Sequence, residues 1–214
     1  MSTGRFITLE GIEGAGKSTV ARFVSDSLGR QGVRVRLTRE PGGTPLAERV
    51  RQIVLERGPE PLPALTETLL MFAARALHVQ QVIAPALARG EWVVCDRFTD
   101  ATRAYQGSGR GVDRVLIDAL ACAVHPELTP DCTLLLDLPV TAGLARARAR
   151  TAAPADRFEA ETVEFFEKVR AGYLALAAAE PQRFRLIRAD QPLEDVERRV
   201  AEILSALRAG APPP

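Results

Sequence analysis

One run near the amino terminus has the residue types and spacing that bind the phosphates of a nucleoside triphosphate: Gly11-Ile12-Glu13-Gly14-Ala15-Gly16-Lys17-Ser18. Its glycines allow successive backbone N–H groups to turn toward the phosphates. The Lys17 ammonium can reach the β- and γ-phosphates, and the Ser18 hydroxyl can ligate Mg²⁺. Lysine is otherwise rare in this chain, and Lys168 is the only other example. We therefore predict a phosphate-binding loop that extends to Thr19.

The loop alone does not identify a reaction, because GTPases, ATPases and small-molecule kinases share it. Three other segments combine polar and charged residues at or just beyond predicted strand ends: 39–44, 96–97 and 102–107. The Asp96 carboxylate suits a residue that holds Mg²⁺ directly or through water. Arg97 offers a two-pronged donor to a phosphate. Together these segments predict an acceptor site at the carboxyl edge of a sheet.

Short apolar runs and helical patterns alternate along the chain. Strands are predicted at 6–9, 33–38, 92–95, 133–138 and 184–187. Helices are predicted at 17–28, 45–55, 65–88 with a bend at Pro85, 113–124, 141–150, 159–179 and 193–207. Because continuous apolar strands separated by helices are typical of buried parallel sheets, we predict an α/β fold. Its sheet should have about five parallel strands, with helices on both faces.

Bulk composition restricts the class of protein. The chain has 214 residues, 46% of them hydrophobic, and a net charge of +1, which suits one domain at 1–208 with a frayed tail at 209–214. A nearly neutral chain has no global field that attracts nucleic acid or membrane. We find no signal peptide and no apolar run near the ~20 residues of a membrane span. We therefore expect a cytoplasmic protein without nucleic-acid or membrane partners.

The three cysteines, Cys95, Cys122 and Cys132, include no pair in a CxxC spacing. This argues against a disulfide framework and against a zinc site. We expect all three to be small, buried, apolar side chains.

The phosphate loop and four shorter motifs together resemble bacterial thymidylate kinases. These motifs are Arg-Glu-Pro-Gly-Gly-Thr at 39–44, Met-Phe-Ala-Ala-Arg at 71–75, Asp-Arg-Phe at 96–98 and Ala-Tyr-Gln-Gly at 104–107. They occur in that family's order and spacing, and the similarity continues to residues 189–193. The resemblance implies a P-loop kinase fold, a homodimer, and transfer of the γ-phosphoryl group of ATP to dTMP. The products would be ADP and dTDP for dTTP synthesis, with Mg²⁺ as cofactor.

The resemblance also implies roles on the acceptor side. Arg97 would grip the dTMP phosphate with support from Arg51, and Glu13 would face the sugar. Arg75 would donate to a thymine carbonyl. The other acceptor-site residues would be Glu40, Phe72, Thr102, Tyr105 and Gln106. Among these, Thr102 and Gln106 would line the base pocket, and Tyr105 would crowd the sugar.

Two positions depart from the family pattern. The aromatic residue usual four positions before the base-binding arginine is Met71 here, and the aromatic residue is Phe72. Both lie on the arginine's face of a helix, so either could cover the thymine ring. Gln191 and Pro192 would lie near the adenine, although Arg188 stands where an acidic residue is common.

Four arginines flank residues 151–155: Arg146, Arg148, Arg150 and Arg157. Without the resemblance they would suit a solvated basic helix end. With it, residues 146–158 resemble a lid that closes over ATP. Some members carry an arginine inside the phosphate loop, where this chain has Gly14-Ala15. The catalytic arginine should then come from the lid, as Arg148 and Arg157, with Arg150 as a third candidate.

A phosphate oxygen is already anionic at neutral pH, so the acceptor needs no general base. His78 and His125 lie in no motif, and we expect both to be structural. Catalysis would then consist of positioning and charge neutralisation. Two alternatives stay open. One is a kinase for another monophosphate such as dUMP, since one methyl group is worth only about 1–3 kcal/mol. The other is a nucleotide-gated binding module without catalysis.

Overall fold

A computed structural model of the protein describes residues 4–150 and 156–210, and only the backbone of Arg150. Five strands in these ranges form one parallel sheet in the order β2-β3-β1-β4-β5. They are β1 (Phe6–Glu10), β2 (Val35–Arg39), β3 (Trp92–Asp96), β4 (Cys132–Asp137) and β5 (Phe184–Arg188). A five-stranded parallel sheet surrounded by helices confirms the predicted fold class.

The central strand β1 decides where a ligand can bind. It pairs with β3 on one side, where Leu9 lies opposite Asp96, and with β4 on the other, where Leu9 lies opposite Leu134. The chain therefore continues to opposite sides of β1, and such a reversal opens a crevice at the carboxyl ends of the strands. The phosphate loop and Asp96 both lie at this crevice.

The helices surround the sheet. They are α1 (Lys17–Arg30), α2 (Pro45–Leu55), α3 (Ala64–His78), α4 (Ala84–Ala88), α5 (Thr99–Thr102), α6 (Arg114–Val124), α7 (Val140–Arg150), α8 (Val163–Ala179) and α9 (Leu193–Ala209). There are also two π-helical segments. Val79–Ile83 connects α3 to α4, and Arg103–Gly109 follows α5. The wide turn at Val79–Ile83 lies just before Pro85, whose ring crowds the preceding turn and whose nitrogen cannot donate.

The helical turns at 99–109 were absent from the sequence prediction. Glycines at 107 and 109 argue against a helix by propensity. Tertiary packing explains why a glycine stands in this helix. A Cβ atom at Gly109 would lie 2.6 Å from the Phe165 ring on α8. Close contact with α8 therefore overrides the local preference.

The helical stretch Ala64–Ala88 corrects one expectation. By length and composition alone it is long and apolar enough to cross a membrane, whereas the sequence analysis found no such run. Length and composition alone do not make it a membrane span, because the core helix of a globular protein passes the same test. This stretch also contains Glu67, Arg75 and His78, which are buried in the fold and form polar contacts with other elements.

A second correction concerns the cysteines. Cys95 and Cys132 are buried as expected, but Cys122 is exposed. It follows Ala121 on α6, and Ala121 faces a small core cluster with Phe72 and Ile117. The next residue along a helix turns away from that face.

Some predicted boundaries fall at the limits of the described residues. The C-terminal helix α9 extends to Ala209, and Gly210 follows it with a left-handed φ of 71°. The rest of the predicted tail, 211–214, and the centre of the predicted lid, 151–155, lie outside the described residues.

Candidate active site

The loop between β1 and α1 has a backbone shape suited to binding phosphates. Gly11, Gly14 and Gly16 have positive φ angles of 135°, 72° and 88°, which residues with a side chain rarely adopt. A Cβ atom at Gly14 would lie 1.9 Å from the Gly143 carbonyl oxygen of α7, so only glycine fits there. Because α1 begins at Lys17, its N-terminal N–H groups lie at the end of the loop.

Lys17 folds back over this loop. Its Nζ donates to the carbonyl oxygens of Ile12 at 2.8 Å and Gly11 at 3.1 Å. Burial, and then the nearby Arg97 charge, lower the pKa of Lys17 to about 8. The ammonium is thus held at the mouth of the loop, within a short movement of any phosphate bound there.

Ser18 and Asp96 form the oxygen-rich part of the site. The Ser18 hydroxyl, in the first turn of α1, donates to the Asp96 carboxylate at 2.9 Å. Mg²⁺ prefers oxygen ligands and is usually held by one or two carboxylates together with substrate phosphates. A hydroxyl and a carboxylate supply such oxygen atoms, so the Ser18–Asp96 pair has the donor chemistry that fits Mg²⁺. Within residues 4–150 and 156–210 there is no cluster of three or more His, Cys, Asp or Glu residues that could hold a metal ion by itself.

A cavity of about 270 Å³ runs from the phosphate loop toward α3 and the helix at 99–109. Twelve of the predicted site residues line it: Glu13, Gly14, Lys17, Ser18, Glu40, Arg51, Arg75, Asp96, Arg97, Thr102, Tyr105 and Gln106. The walls also include Met71 and Phe158. The structure thus brings part of the phosphate loop and most of the predicted acceptor residues into one cavity.

Arg97 lies at the centre of the cavity with unusual backbone geometry. Its φ of 70° is the only positive φ at a non-glycine residue in the described part of the chain. Such a conformation costs on the order of 1–3 kcal/mol and occurs frequently at functional sites. Its N–H donates to Leu9 of β1 at 3.0 Å, which holds the strained residue at the sheet edge.

The Arg97 guanidinium is fixed by oxygen atoms from several elements. It donates to Glu13 at 2.9 Å, to the Tyr105 hydroxyl at 3.0 Å and to the Tyr173 hydroxyl at 3.2 Å. It also lies over the Tyr105 ring, with its central carbon 4.7 Å from the ring centroid. Burial would lower the pKa of Arg97, but Tyr105, Glu13 and other neighbours raise it well above its ordinary value. Arg97 is therefore a preorganised cation.

Sequence reasoning missed two residues behind Arg97. Glu10, fully buried at the end of β1, accepts hydrogen bonds from the Phe98 N–H at 2.8 Å and the Tyr173 hydroxyl at 2.7 Å. Burial, followed by the charge of Asp100, raises the pKa of Glu10 to about 8. A carboxylate at the end of a buried strand was a usable signal. Nothing in the sequence indicated Tyr173, because it lies on α8, far along the chain.

Arg75 is held by a buried ion pair. Its Nε donates to Glu40 at 2.7 Å, and Nη2 donates to Thr102 at 3.0 Å. Its Nη1 is buried and has no hydrogen-bond partner, although Arg75 lines the cavity. A buried donor without a partner is costly in an empty site. Arg75 contributes to the cavity wall a guanidinium group that can only donate hydrogen bonds.

Glu40 connects Arg75 to a histidine. His78 Nδ1 lies 2.9 Å from the Glu40 carboxylate, and its Nε2 lies 2.7 Å from the Thr38 hydroxyl. Burial alone would raise the pKa of Glu40, but the Arg75 charge and the bonds from His78 and Arg75 outweigh it and lower that pKa. The Glu40 carboxylate is thus engaged in orienting Arg75, and His78 has a structural role.

The structure distinguishes the two candidates for the base cover. Met71 lines the cavity. Phe72 is only 2% exposed, belongs to a cluster with Ile117 and Ala121, and lies under the Arg75 guanidinium at 4.7 Å. The orientation of α3 directs Met71 to the cavity and Phe72 to the core, so Phe72 does not lie where the sequence analysis expected it.

Arg157 also differs from its expected place. Its Nε donates to the Val54 carbonyl at 2.9 Å, and its Nη2 lies 2.6 Å from the Glu67 carboxylate. It is absent from the cavity wall. The guanidinium is held because the C-terminal carbonyls of α2 and a buried carboxylate attract it. Arg157 therefore anchors the chain beyond the predicted lid, and the geometry does not support a catalytic role.

The remaining predicted residues lie outside the cavity. Arg148 is exposed on α7. Gln191 donates to the Arg188 carbonyl at 3.1 Å, and Pro192 precedes the first turn of α9. Arg146 donates to the Ala189 carbonyl at 2.7 Å and so joins α7 to the loop that carries Gln191.

Similarity to known proteins is extensive. A family model described as thymidylate kinase matches residues 9–200. Thymidylate kinase from Teredinibacter turnerae is 54% identical over 204 residues, which cover 95% of this chain and 98% of that protein. Thymidylate kinase from Pseudomonas syringae pv. syringae is 59% identical over 195 residues, which cover 91% and 92%. A crystal structure of thymidylate kinase from Ehrlichia chaffeensis aligns with a TM-score of 0.74 at 33% identity, covering 94% of this chain and 98% of that chain.

Proposed function

The chain belongs to the thymidylate kinase family and transfers a phosphoryl group from ATP to dTMP, and we propose that the cavity is where the two substrates meet. One observation carries the assignment: a single cavity joins the phosphate loop to Arg75, Thr102 and Gln106, the proposed base-binding residues. Reacting groups must approach within about 3–3.5 Å for transfer. A continuous cavity supplies that proximity.

The donor end should bind ATP through residues 11–19. Backbone N–H groups of the loop and the N-terminus of α1 would surround the β- and γ-phosphates. Lys17 would leave the carbonyls of Gly11 and Ile12 for phosphate oxygens, an exchange of weak partners for charged ones. Gln191 and Pro192 would lie near the adenine.

We propose that Ser18 and Asp96 hold Mg²⁺, directly or through water. When bound, the ion neutralises phosphate charge and fixes the geometry of the donor. The adjacent hydroxyl and carboxylate, 2.9 Å apart, support this proposal.

The acceptor end should bind dTMP. Arg97 and Arg51 would grip its phosphate, while Glu13 and Tyr105 would face the sugar. Arg75, which lines the cavity, would donate to a thymine carbonyl. Met71 would cover the ring, and Thr102 and Gln106 would complete the base pocket.

The reaction then needs positioning and charge neutralisation. The attacking dTMP phosphate oxygen is anionic, so no base has to remove a proton. ATP and dTMP together carry roughly six negative charges, which Lys17 and Arg97 offset from the two ends of the cavity. Arg148, on the predicted lid at 146–158, would approach the transferred group when the lid closes and excludes water.

We further propose a single domain at 1–208 and a cytoplasmic homodimer without nucleic-acid or membrane partners. Four apolar side chains on α3 and α6 are exposed: Leu65, Leu69, Val115 and Leu116. Exposed apolar residues on neighbouring helices are typical of protein–protein contacts. Sedimentation should show a dimer at micromolar concentration, and a monomer would refute this assembly. Cell fractionation tests the location.

The function is tested by following ADP formation with Mg²⁺-ATP and a panel of acceptors: dTMP, dUMP, dCMP, dAMP, dGMP and UMP. Strong dTMP-dependent turnover is expected, and it should disappear in Lys17→Ala prepared in parallel. Turnover of UMP at a similar rate would contradict the crowding of the sugar by Tyr105. ATP binding without acceptor-dependent turnover would overturn the assignment.

A further inference from the structure

A fully buried carboxylate lies directly behind the base pocket. Glu67, on α3, is 0% exposed, and three side chains converge on it from other elements. Gln106 Nε2 donates to Glu67 Oε1 at 2.5 Å. Arg157 Nη2 lies 2.6 Å and Arg110 Nε 3.3 Å from Glu67 Oε2. Glu67 does not line the cavity, but Gln106 does.

This arrangement fixes which end of the Gln106 amide is available to a ligand. With two guanidinium groups against it, the Glu67 carboxylate acts as the acceptor, so it requires the NH₂ end of the amide. The Gln106 carbonyl oxygen is then the polar atom left for the cavity. Both arginines are themselves restrained, Arg157 by the Val54 carbonyl and Arg110 by an ion pair with Glu161 at 2.7 Å. The carboxylate therefore has little freedom to turn.

The wall of the cavity consequently offers one donor and one acceptor. Arg75 lines the cavity with a guanidinium group, which can only donate, and Gln106 presents an oxygen. Thymine has an acceptor, O4, beside a donor, N3–H, and matches this pair. Cytosine has a donor, N4–H₂, beside an acceptor, N3, and opposes it at both positions. A mismatch would leave buried polar groups without partners, which is costly.

We propose that Glu67 is a positioning residue that sets the preference of the acceptor site for thymine over cytosine by holding the Gln106 amide in one orientation. This inference rests on the proposed base-binding roles of Arg75 and Gln106. It does not concern uracil, whose O4 and N3–H are the same as those of thymine.

A double-mutant cycle tests the inference. The ratio of kcat/KM for dTMP to that for dCMP is measured in the native protein, Glu67→Gln, Gln106→Ala and the double variant. A glutamine at position 67 can donate to the Gln106 oxygen and so allow its amide to turn. We expect Glu67→Gln to lower the ratio about tenfold, through KM for dTMP, and KM for ATP to stay within twofold. Because Glu67 acts through Gln106, Glu67→Gln should not change the ratio further in the Gln106→Ala background.

Three outcomes would overturn the inference. The first is an unchanged ratio in folded Glu67→Gln. The second is an equal loss in the Gln106→Ala background, which would mean that Glu67 acts on the fold in general. The third is an unchanged ratio in Gln106→Ala, which would show that Gln106 does not contact the base. The proposed kinase function would still hold in that case if ADP formation depends on dTMP. If Glu67→Gln does not fold, Glu67→Asp replaces it, because aspartate keeps the charge but withdraws from Gln106, and the same fall is expected.

Discussion

The two ends of the cavity are built in different ways. The donor end is one continuous run, residues 11–19, whose positive-φ glycines and helix N-terminus present backbone donors. The acceptor end is assembled from side chains on several elements, such as Glu40, Arg75 and Arg97, which already pair with neighbours before any ligand binds. The donor end therefore has unsatisfied positive potential, and the acceptor end has a preformed network of ion pairs.

This difference has an energetic consequence. Phosphates bring their own charge to the donor end, so removing its cation should impair the reaction with little effect on the fold. At the acceptor end, removing one member of a buried pair leaves its partner uncompensated, and stability should fall as well. Substitutions at the two ends should therefore differ in their effects on activity and on stability.

The largest effect is expected for Lys17→Ala. We expect kcat/KM to fall about a thousandfold or more, because a preorganised charge at the transferred phosphoryl is lost. The free energy of unfolding should stay close to that of the native protein. Steady-state kinetics and urea denaturation measure the two quantities. Lys168→Ala, which changes the exposed lysine on α8, is the matched control and should behave as the native protein. A large loss of stability in Lys17→Ala would contradict the contrast.

Glu40→Ala tests the acceptor end. Removing this carboxylate leaves the Arg75 guanidinium buried and unpaired, which typically costs about 3–5 kcal/mol. We therefore expect the free energy of unfolding to fall by about 3 kcal/mol and KM for dTMP to rise. Glu202→Ala, which removes an ion pair with Arg199 that is half exposed, should cost less than about 1 kcal/mol. Equally small losses of unfolding free energy in both variants would show that the buried Glu40–Arg75 pair contributes no more to stability than the exposed pair.

Substitutions of Arg148 and Arg157 should have different effects on kcat and on the melting temperature. Arg148 is exposed and free to approach ATP, so Arg148→Ala should lower kcat about a hundredfold without changing the melting temperature. Arg157 is bound to Glu67 and Val54, so Arg157→Ala should lower the melting temperature, raise KM for dTMP and change kcat less than tenfold. The reverse order of kcat effects would restore Arg157 as the catalytic arginine.

The smallest effect is a pH dependence at the donor end. Burial and Arg97 lower the pKa of Lys17 to about 8, so the free enzyme loses the Lys17 charge as the pH rises through 8. At limiting ATP we expect kcat/KM to fall about tenfold per pH unit above that value. Bound phosphates raise the pKa again, so at saturating ATP the fall should move to higher pH. Lys17→Arg, which keeps its charge, should not show the fall, and a flat native profile to pH 9.5 would refute this origin.

The sequence by itself determined the sheet, the phosphate loop and most of the polar residues that line the cavity. The strand predicted at 92–95 is observed at Trp92–Asp96, and the one at 184–187 at Phe184–Arg188. Each of these features depends on a short stretch: an apolar run that must be buried, or glycines that permit φ angles closed to other residues. Local features of this kind survive in a single sequence.

Only the tertiary structure decided which side chains meet. Glu67 and Gln106 are 39 residues apart, and the contact between them depends on how α3 lies against the helix at 99–109. The same packing turned Met71 rather than Phe72 toward the cavity, and attached Arg157 to Glu67 instead of leaving it for ATP. Hydrogen bonds and ion pairs form only between atoms a few ångströms apart, whereas sequence periodicity predicts only which face of a helix a residue lies on. The physical reason is the distance along the chain over which each feature is set. The tendency of a residue to be buried depends on its own type and its near neighbours, whereas its hydrogen-bond and ion-pair partners lie on elements that only the fold brings together.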